Sequence, residues 1–128
     1  MTTGGELAQS GDTLNYLDLS KPSLRQALDP KETGHERYRF VQVEVIQVTN
    51  PQKHPLTFEV RYEPANGAAS SLGSFSLYPA DNPGKFIVAT QGKLRDEGVI
   101  VLSLVTPDKI DGRDSIRVAV GRVKFLRE

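Results

Sequence analysis

Apolar and polar residues alternate with a period of two through most of the chain after Tyr38. In the segment 56–62, for example, Phe58, Val60 and Tyr62 alternate with Thr57, Glu59 and Arg61. Such alternation predicts a β-strand with one buried face. Comparable apolar segments occur at 13–19, 38–48, 74–78, 85–90, 98–106 and 115–126. The pattern therefore predicts an all-β fold, an antiparallel β-sandwich of six or seven strands in which Greek-key connections are one option.

In two of these segments the apolar residues change from one parity to the other, and a third segment is apolar at nearly every position. After Val45 the apolar positions of the segment 38–48 move to the opposite parity, and Gly121 causes the same change in the segment 115–126. A phase change inside a strand predicts a β-bulge. The segment 98–106, GVIVLSLVT, is apolar at nearly every position, as in a central strand that is covered on both faces.

The N-terminal part predicts the one helix of the chain. Ser20 can cap it, Pro22 fits its first turn, and Leu24, Ala27 and Leu28 share a helical face, which places the helix at about 22–28. We expect this helix, or a second copy of the chain bound through Val99 and Val101, to cover the outer face of the strand 98–106. Residues 1–12 are small and polar and are expected to be flexible, whereas 13–128 are expected to form one sandwich domain. Its core is predicted to contain ten residues: Phe58, Val60, Phe75, Leu77, Phe86, Ile100, Leu102, Leu104, Val118 and Val120.

Composition excludes several functions. The chain has 16 basic and 16 acidic residues and no cysteine. Its balanced charge gives no general attraction to nucleic acid or to anionic lipid, and thiolate chemistry is impossible. The N-terminus lacks the features of a signal peptide, and no segment has the apolar length of a membrane helix. We therefore expect no nucleic-acid or membrane partner, and a cytoplasmic location unless the chain is an exported mature domain.

Candidate catalytic and metal-binding groups are sparse. His35 and His54 lack the spacing of metal ligands, and both are expected to be solvated loop residues. Asp108, Asp111 and Asp114 surround Gly112, and clustered carboxylates on a turn are the ligands that calcium favours, but the spacing matches no calcium-binding loop and a plain turn also requires Asp and Gly. The serines have no histidine or lysine at a catalytic spacing. The sequence therefore predicts a protein that is not an enzyme and has no cofactor or metal.

The segment 78–84 differs from the other turns. Leu77 has the parity of the core, so the alternation points Tyr78 outward, into a turn that contains Pro79, Asp81 and Asn82. The prolines at 79 and 83 restrict the backbone there. Tyrosine offers a large contact area at a small entropic cost, so Tyr78, Pro79, Asp81 and Asn82 form the candidate binding site. The alternative is structural: Tyr78 would cover a sheet edge and bond a backbone carbonyl.

Four short motifs follow one another along the chain. They are an F-x-V strand at Phe58–Val60, a G-S-F strand at Gly73–Phe75, an apolar strand ending in proline at Val101–Pro107, and a G-x-V-x-F element at Gly121–Phe125. In this order they resemble the C-terminal β-domain of polyphenol oxidases and tyrosinases. The resemblance covers about residues 57–126. It implies a non-catalytic domain that shields a copper site, in which Tyr78 would be the counterpart of an aromatic side chain over the substrate entrance. The copper-binding histidine helices of that family are absent from the chain, so oxidase activity does not carry over.

The first expectation for function is thus an accessory or partner-binding β-sandwich, which shields or stabilises a copper oxidase if the resemblance holds. A module that binds a small ligand or carbohydrate is the first alternative, although the chain has no tryptophan for a flat sugar platform. A homo-oligomeric structural protein, such as a homodimer, is the second alternative.

Overall fold

Two antiparallel β-sheets form the fold in the computed structural model of the chain, which describes residues 14–28, 34–95, 97–106 and 115–127. The described residues contain nine strands and one short 3₁₀ helix: β1 (Asn15–Asp18), β2 (Ser23–Ala27), η1 (His35–Arg37), β3 (Phe40–Thr49), β4 (Thr57–Pro64), β5 (Ser70–Ser76), β6 (Gly84–Ala89), β7 (Gly98–Val105), β8 (Arg117–Val120) and β9 (Lys124–Leu126). The predicted all-β class is confirmed.

The first sheet has the order β1-β8-β3-β6, with β9 also paired to β3, and the second has the order β2-β7-β4-β5. Only the β4–β5 and β8–β9 connections stay within one sheet, and all others cross between the sheets. The apolar faces of both sheets therefore meet in one core, because each strand must bury its apolar side against another layer.

The core contains most of the residues that the alternation predicts. Eight of the ten predicted core residues are buried, and Phe75 and Phe86 are partly buried against them. These two rings extend the core toward one edge of the sandwich. Phe75 stacks on Phe58 at a centroid distance of 5.1 Å and on Phe86 at 4.3 Å, and so joins β4, β5 and β6.

The predicted helix at 22–28 is wrong, because residues 23–27 form the edge strand β2. Backbone bonds extend the pairing of β2 with β7 at both ends, from Leu104 N to Pro22 O (2.7 Å) and from Leu28 N to Gly98 O (3.0 Å). The side-chain amide of Gln26 bonds both the N–H and the C=O of Val123, at 2.9 and 3.0 Å. Tertiary pairing with a strand that needs an edge partner thus overrides the helical spacing of the apolar residues.

Both predicted phase changes occur. The register of β3 against β8 shifts between Val45 and Gln47, so Ile46 bulges outward and is 40% exposed. At Gly121 the segment 115–126 breaks into β8 and β9, and the Gly121 N–H donates to Glu44 O across the gap. This break and the strand β2 account for the difference between the seven strands of the prediction and the nine of the structure.

The outer face of β7 is covered in part: Val101 is buried and Val99 is half-buried, whereas Val105 is 48% exposed. Val101 is only 7% exposed, and its neighbours across the ladders are Arg25 on β2 and Arg61 on β4. The Arg25 Nη2 donates to Glu63 Oε1 at 2.6 Å. Since Arg25 and Glu63 lie on the two strands that flank β7, their ion pair crosses the outer face of that strand. The expectation that β7 is covered on both faces is correct for Val101, but the predicted helix does not supply this cover, because residues 23–27 form β2.

Candidate functional site

The candidate site is the connection between β5 and β6, where the chain passes from one sheet to the other. β5 ends at Ser76, and Leu77 follows with its side chain buried and its N–H donating to Leu56 O at 3.1 Å. The next residue, Tyr78, is 88% exposed. The outward orientation that the alternation predicts for Tyr78 is therefore present, and its ring does not cover a sheet edge.

Hydrogen bonds hold the backbone of this turn. The Asn82 N–H donates to Pro79 O at 3.0 Å and closes the turn, and the Tyr78–Pro79 peptide bond is cis. Pro79 and Asn82 are exposed, whereas Asp81 is half-buried. The four residues of the predicted site thus lie on one turn, but Tyr78 offers far more apolar surface than the other three.

Sequence reasoning missed Asn50, whose buried side chain is hydrogen-bonded to the backbone of the turn. Asn50 is 4% exposed, and its Nδ2 donates to Ala80 O at 3.0 Å and to His54 O at 2.9 Å. Its Oδ1 accepts a bond from the His54 N–H at 3.1 Å. One buried amide therefore ties the 78–82 turn to the 50–55 turn. An asparagine at the start of a Pro-containing turn signals a local bond to the backbone, but the bond to Ala80, 30 residues away, has no local signal.

The Tyr78 side chain projects from the turn and has no internal partner in the described part of the chain. There it makes no hydrogen bond, ion pair or ring contact, although the backbone on both sides is fixed. An exposed ring on a fixed backbone loses little freedom when it is buried by a partner. The arrangement thus presents an exposed aromatic ring on a turn whose backbone is hydrogen-bonded.

The two histidines differ in their surroundings. The expectation that His35 is solvated is wrong: His35 is 1% exposed and its ring lies 6.0 Å from Tyr38 and 6.2 Å from Phe125. It is the first residue of η1, where the chain turns into β3, so packing and not solvation decides its position. His54 is half-buried in the 50–55 turn.

No cluster of three or more metal-ligating side chains occurs in the described ranges. The aspartates at 108, 111 and 114, for which a calcium site was the alternative to a plain turn, lie outside those ranges.

The helical content of the described chain includes no segment that is long and apolar enough to cross a membrane.

Two tyrosines stack with arginines at opposite ends of the first sheet. The guanidinium carbon of Arg117 lies 4.1 Å from the centroid of the Tyr16 ring, and that of Arg127 lies 5.4 Å from the centroid of the Tyr38 ring. Tyr16 and Arg117 line a shallow depression of about 140 Å³ with Gln47, Thr49 and Ala119. This depression is smaller than the usual ligand pocket, which measures about 300–1,000 Å³.

Comparisons of the chain with protein-family models, with curated proteins and with solved structures find no match. The class of protein is therefore defined by its fold alone, as an antiparallel β protein with two sheets. The resemblance to the β-domain of polyphenol oxidases stays a prediction.

Proposed function

We propose that the chain is a non-catalytic binding protein and that the 78–82 turn contacts a protein partner. The observation that carries this proposal is the 88% exposure of a tyrosine on a turn that Asn50 holds in place. Isolated exposed apolar residues are common, but Tyr is enriched among the residues that dominate binding energy. A fixed backbone favours binding further, because little conformational freedom is lost when a partner binds.

The partner that the resemblance suggests is a type-3 copper oxidase, with the Tyr78 ring inserted at the entrance of its substrate cleft. The exposed ring suits this role because it projects from the turn and can enter a concave surface. In this proposal the chain supplies shape and apolar area, and it takes part in no chemical step.

The experiment mixes the protein with the catalytic domain of a tyrosinase from which the family's own β-domain has been removed. We expect the added protein to inhibit oxidation of the substrate, and the Tyr78→Ala variant to inhibit about tenfold more weakly, since loss of a central aromatic contact costs about 1–2 kcal/mol or more. The matched control is Ile87→Ala, which also truncates an exposed apolar residue, 57% exposed, on β6.

Stability measurements complete the test. Tyr78→Ala should change the free energy of unfolding by no more than about 0.5 kcal/mol, as surface substitutions usually do. Inhibition that is equal for Tyr78→Ala and Ile87→Ala would refute the turn as contact surface, and no inhibition by the unmodified protein would refute the copper-oxidase partner.

A further inference from the structure

A second surface lies at the opposite end of β3 from the Tyr16 depression and forms a cavity. The cavity measures about 530 Å³ and lies where β3 begins and β6 ends. Its lining consists of Phe40, Ala89, the segment 36–39 and the turn 90–92. This volume is in the usual range for a small-molecule site. None of the residues of the 78–82 turn belongs to it.

The backbone around the cavity is fixed from several sides. The Arg39 N–H donates to Leu126 O at 2.8 Å, and the Arg39 carbonyl accepts a bond from Thr90 N–H at 2.8 Å. The fully buried hydroxyl of Thr90 donates to Tyr38 O at 2.7 Å. The segment 36–39 and the turn 90–92 are thus joined, so the cavity between them keeps its shape without a ligand.

Two arginines that line this cavity lack a carboxylate partner in the described chain. Arg37 and Arg39 are both exposed and both line the cavity, whereas the ion pair of the described residues is the one between Arg25 and Glu63. Glu36 is the single acidic residue in the lining, so the lining carries one net positive charge. The Arg127 guanidinium, stacked on the Tyr38 ring, adds a further cation next to it.

The lining of the cavity also contains two apolar residues. Phe40 and Ala89 are partners across the β3–β6 ladder and lie side by side in the lining. An arginine fork matches the geometry of a carboxylate or a phosphate, and an adjacent apolar surface can bind the body of the same molecule. Two unpaired guanidinium groups beside an apolar pair therefore select an anion with an organic body over a bare ion.

We infer that this cavity is a binding site for a small organic anion, whose phosphate or carboxylate group contacts Arg37 and Arg39 and whose body lies against Phe40 and Ala89. The site is separate from the proposed contact turn, so either proposal can fail without the other. It needs no metal and no covalent step.

The test is a titration of the ¹⁵N-labelled protein with adenosine monophosphate, citrate and inorganic phosphate, followed by amide chemical shifts. We expect saturable shifts confined to the amides of 36–40 and 89–92, with adenosine monophosphate or citrate binding more tightly than inorganic phosphate. The first two probes distinguish a phosphate from a carboxylate source. The double variant Arg37→Gln/Arg39→Gln should bind about tenfold or more weakly, because a hydrogen bond to a charged group contributes at least that factor.

Arg117→Gln is the matched control, since Arg117 is also exposed and lies at the other end of β3, opposite Thr49. It should change the affinity by less than about twofold, because a charge at that distance is screened. The site would be refuted if none of the three probes causes saturable shifts. Equal losses in the double variant and in Arg117→Gln would also refute it, as would inorganic phosphate binding as tightly as the organic anions.

Discussion

At the scale of single residues, the side chains that fix the candidate turn are polar and buried. Asn50 makes three hydrogen bonds to backbone groups of two turns, and it is almost fully removed from solvent. Buried polar groups are tolerated when they are bonded in this way. The position of the exposed Tyr78 thus depends on Asn50, which is itself too buried to contact a partner protein.

The Asn50→Ala variant should lower the free energy of unfolding by about 1–3 kcal/mol, because it leaves buried backbone groups without their partner. Urea denaturation measures this loss. Asn66→Ala, in the exposed turn after β4, serves as control and should change the stability by less than about 0.5 kcal/mol. If Asn50→Ala is as harmless as Asn66→Ala, the two turns are not held by this amide.

Two carboxyl groups connect stability to pH. The pKa of Asp18 is lowered by hydrogen bonds from the Ser20 hydroxyl and from the backbone N–H groups of Lys21 and Ser20, and also by the charge of Arg117. The pKa of Glu63 is lowered by its hydrogen bond and ion pair with Arg25, with a smaller contribution from Arg61. A lowered pKa means that the folded state favours the ionised form.

The stability that these groups contribute is therefore present above their unfolded pKa values, near 3.8 and 4.5, and is lost as the pH falls through the lower values of the folded state. We expect the Asp18→Asn/Glu63→Gln variant to lose less stability than the unmodified protein between about pH 6 and about pH 2, a range that extends about one unit or more on either side of these values. Thermal unfolding at a series of pH values measures the difference. Glu59→Gln, on β4 but outside the ion pair, should keep the original acid dependence.

At the scale of elements, β7 organises the second sheet. It lies between β2 and β4, its inner face carries Ile100, Leu102 and Leu104, and all three are buried. On its outer face Val101 is buried, and its ladder neighbour Arg25 pairs with Glu63. A strand that is covered on both faces contributes more to stability than an edge strand, because more of its apolar surface is removed from water.

The Leu102→Ala variant should therefore cost about 2–5 kcal/mol, the usual range for truncation of a buried leucine. Val105→Ala, at the end of the same strand and 48% exposed, should cost less than about 0.5 kcal/mol. Equilibrium denaturation of both variants provides the comparison. A loss at Leu102 as small as that at Val105 would contradict the central position of β7.

At the scale of the whole molecule, the structure changes the argument about self-association. The sequence predicts that the outer face of β7 is covered by a helix or by a second copy bound through Val99 and Val101, with a slight preference for the dimer because one short helix covers little area. In the structure Val101 is buried and Val99 is half-buried in a single chain, so this surface does not require a second copy.

We accordingly expect light scattering to give a mass near the 14.1 kDa of one chain. A dimer mass would contradict this expectation, and the Arg25→Ala variant would then locate the interface. That variant removes the ladder neighbour of Val101 and should strengthen association only if the dimer forms through β7. Ile87→Ala should instead weaken a dimer that forms through the exposed face of β6.

The sequence by itself determined the strands whose alternation is strong, and with them the core. Phe58, Val60 and Tyr62 are buried because side chains of a strand alternate between its faces, so a period of two is enough to find the inner face. The same rule turned Leu77 inward and Tyr78 outward. The bulge after Val45 was also readable, since a phase change is a local property of the chain.

Only the tertiary structure decided features that depend on distant partners. Residues 23–27 form a strand because β7 offers an edge and Gln26 bonds Val123, 97 residues away. His35 is buried because Tyr38 and Phe125 meet around it, and Asn50 reaches Ala80 in another turn. The cavity beside Arg37 and Arg39 likewise exists because the segment 36–39 and the turn 90–92 are brought together. The physical reason is the same for these four features. The period of apolar residues along a strand shows which of its faces is buried, whereas the pairing of strands and turns is selected by contacts between residues far apart in sequence.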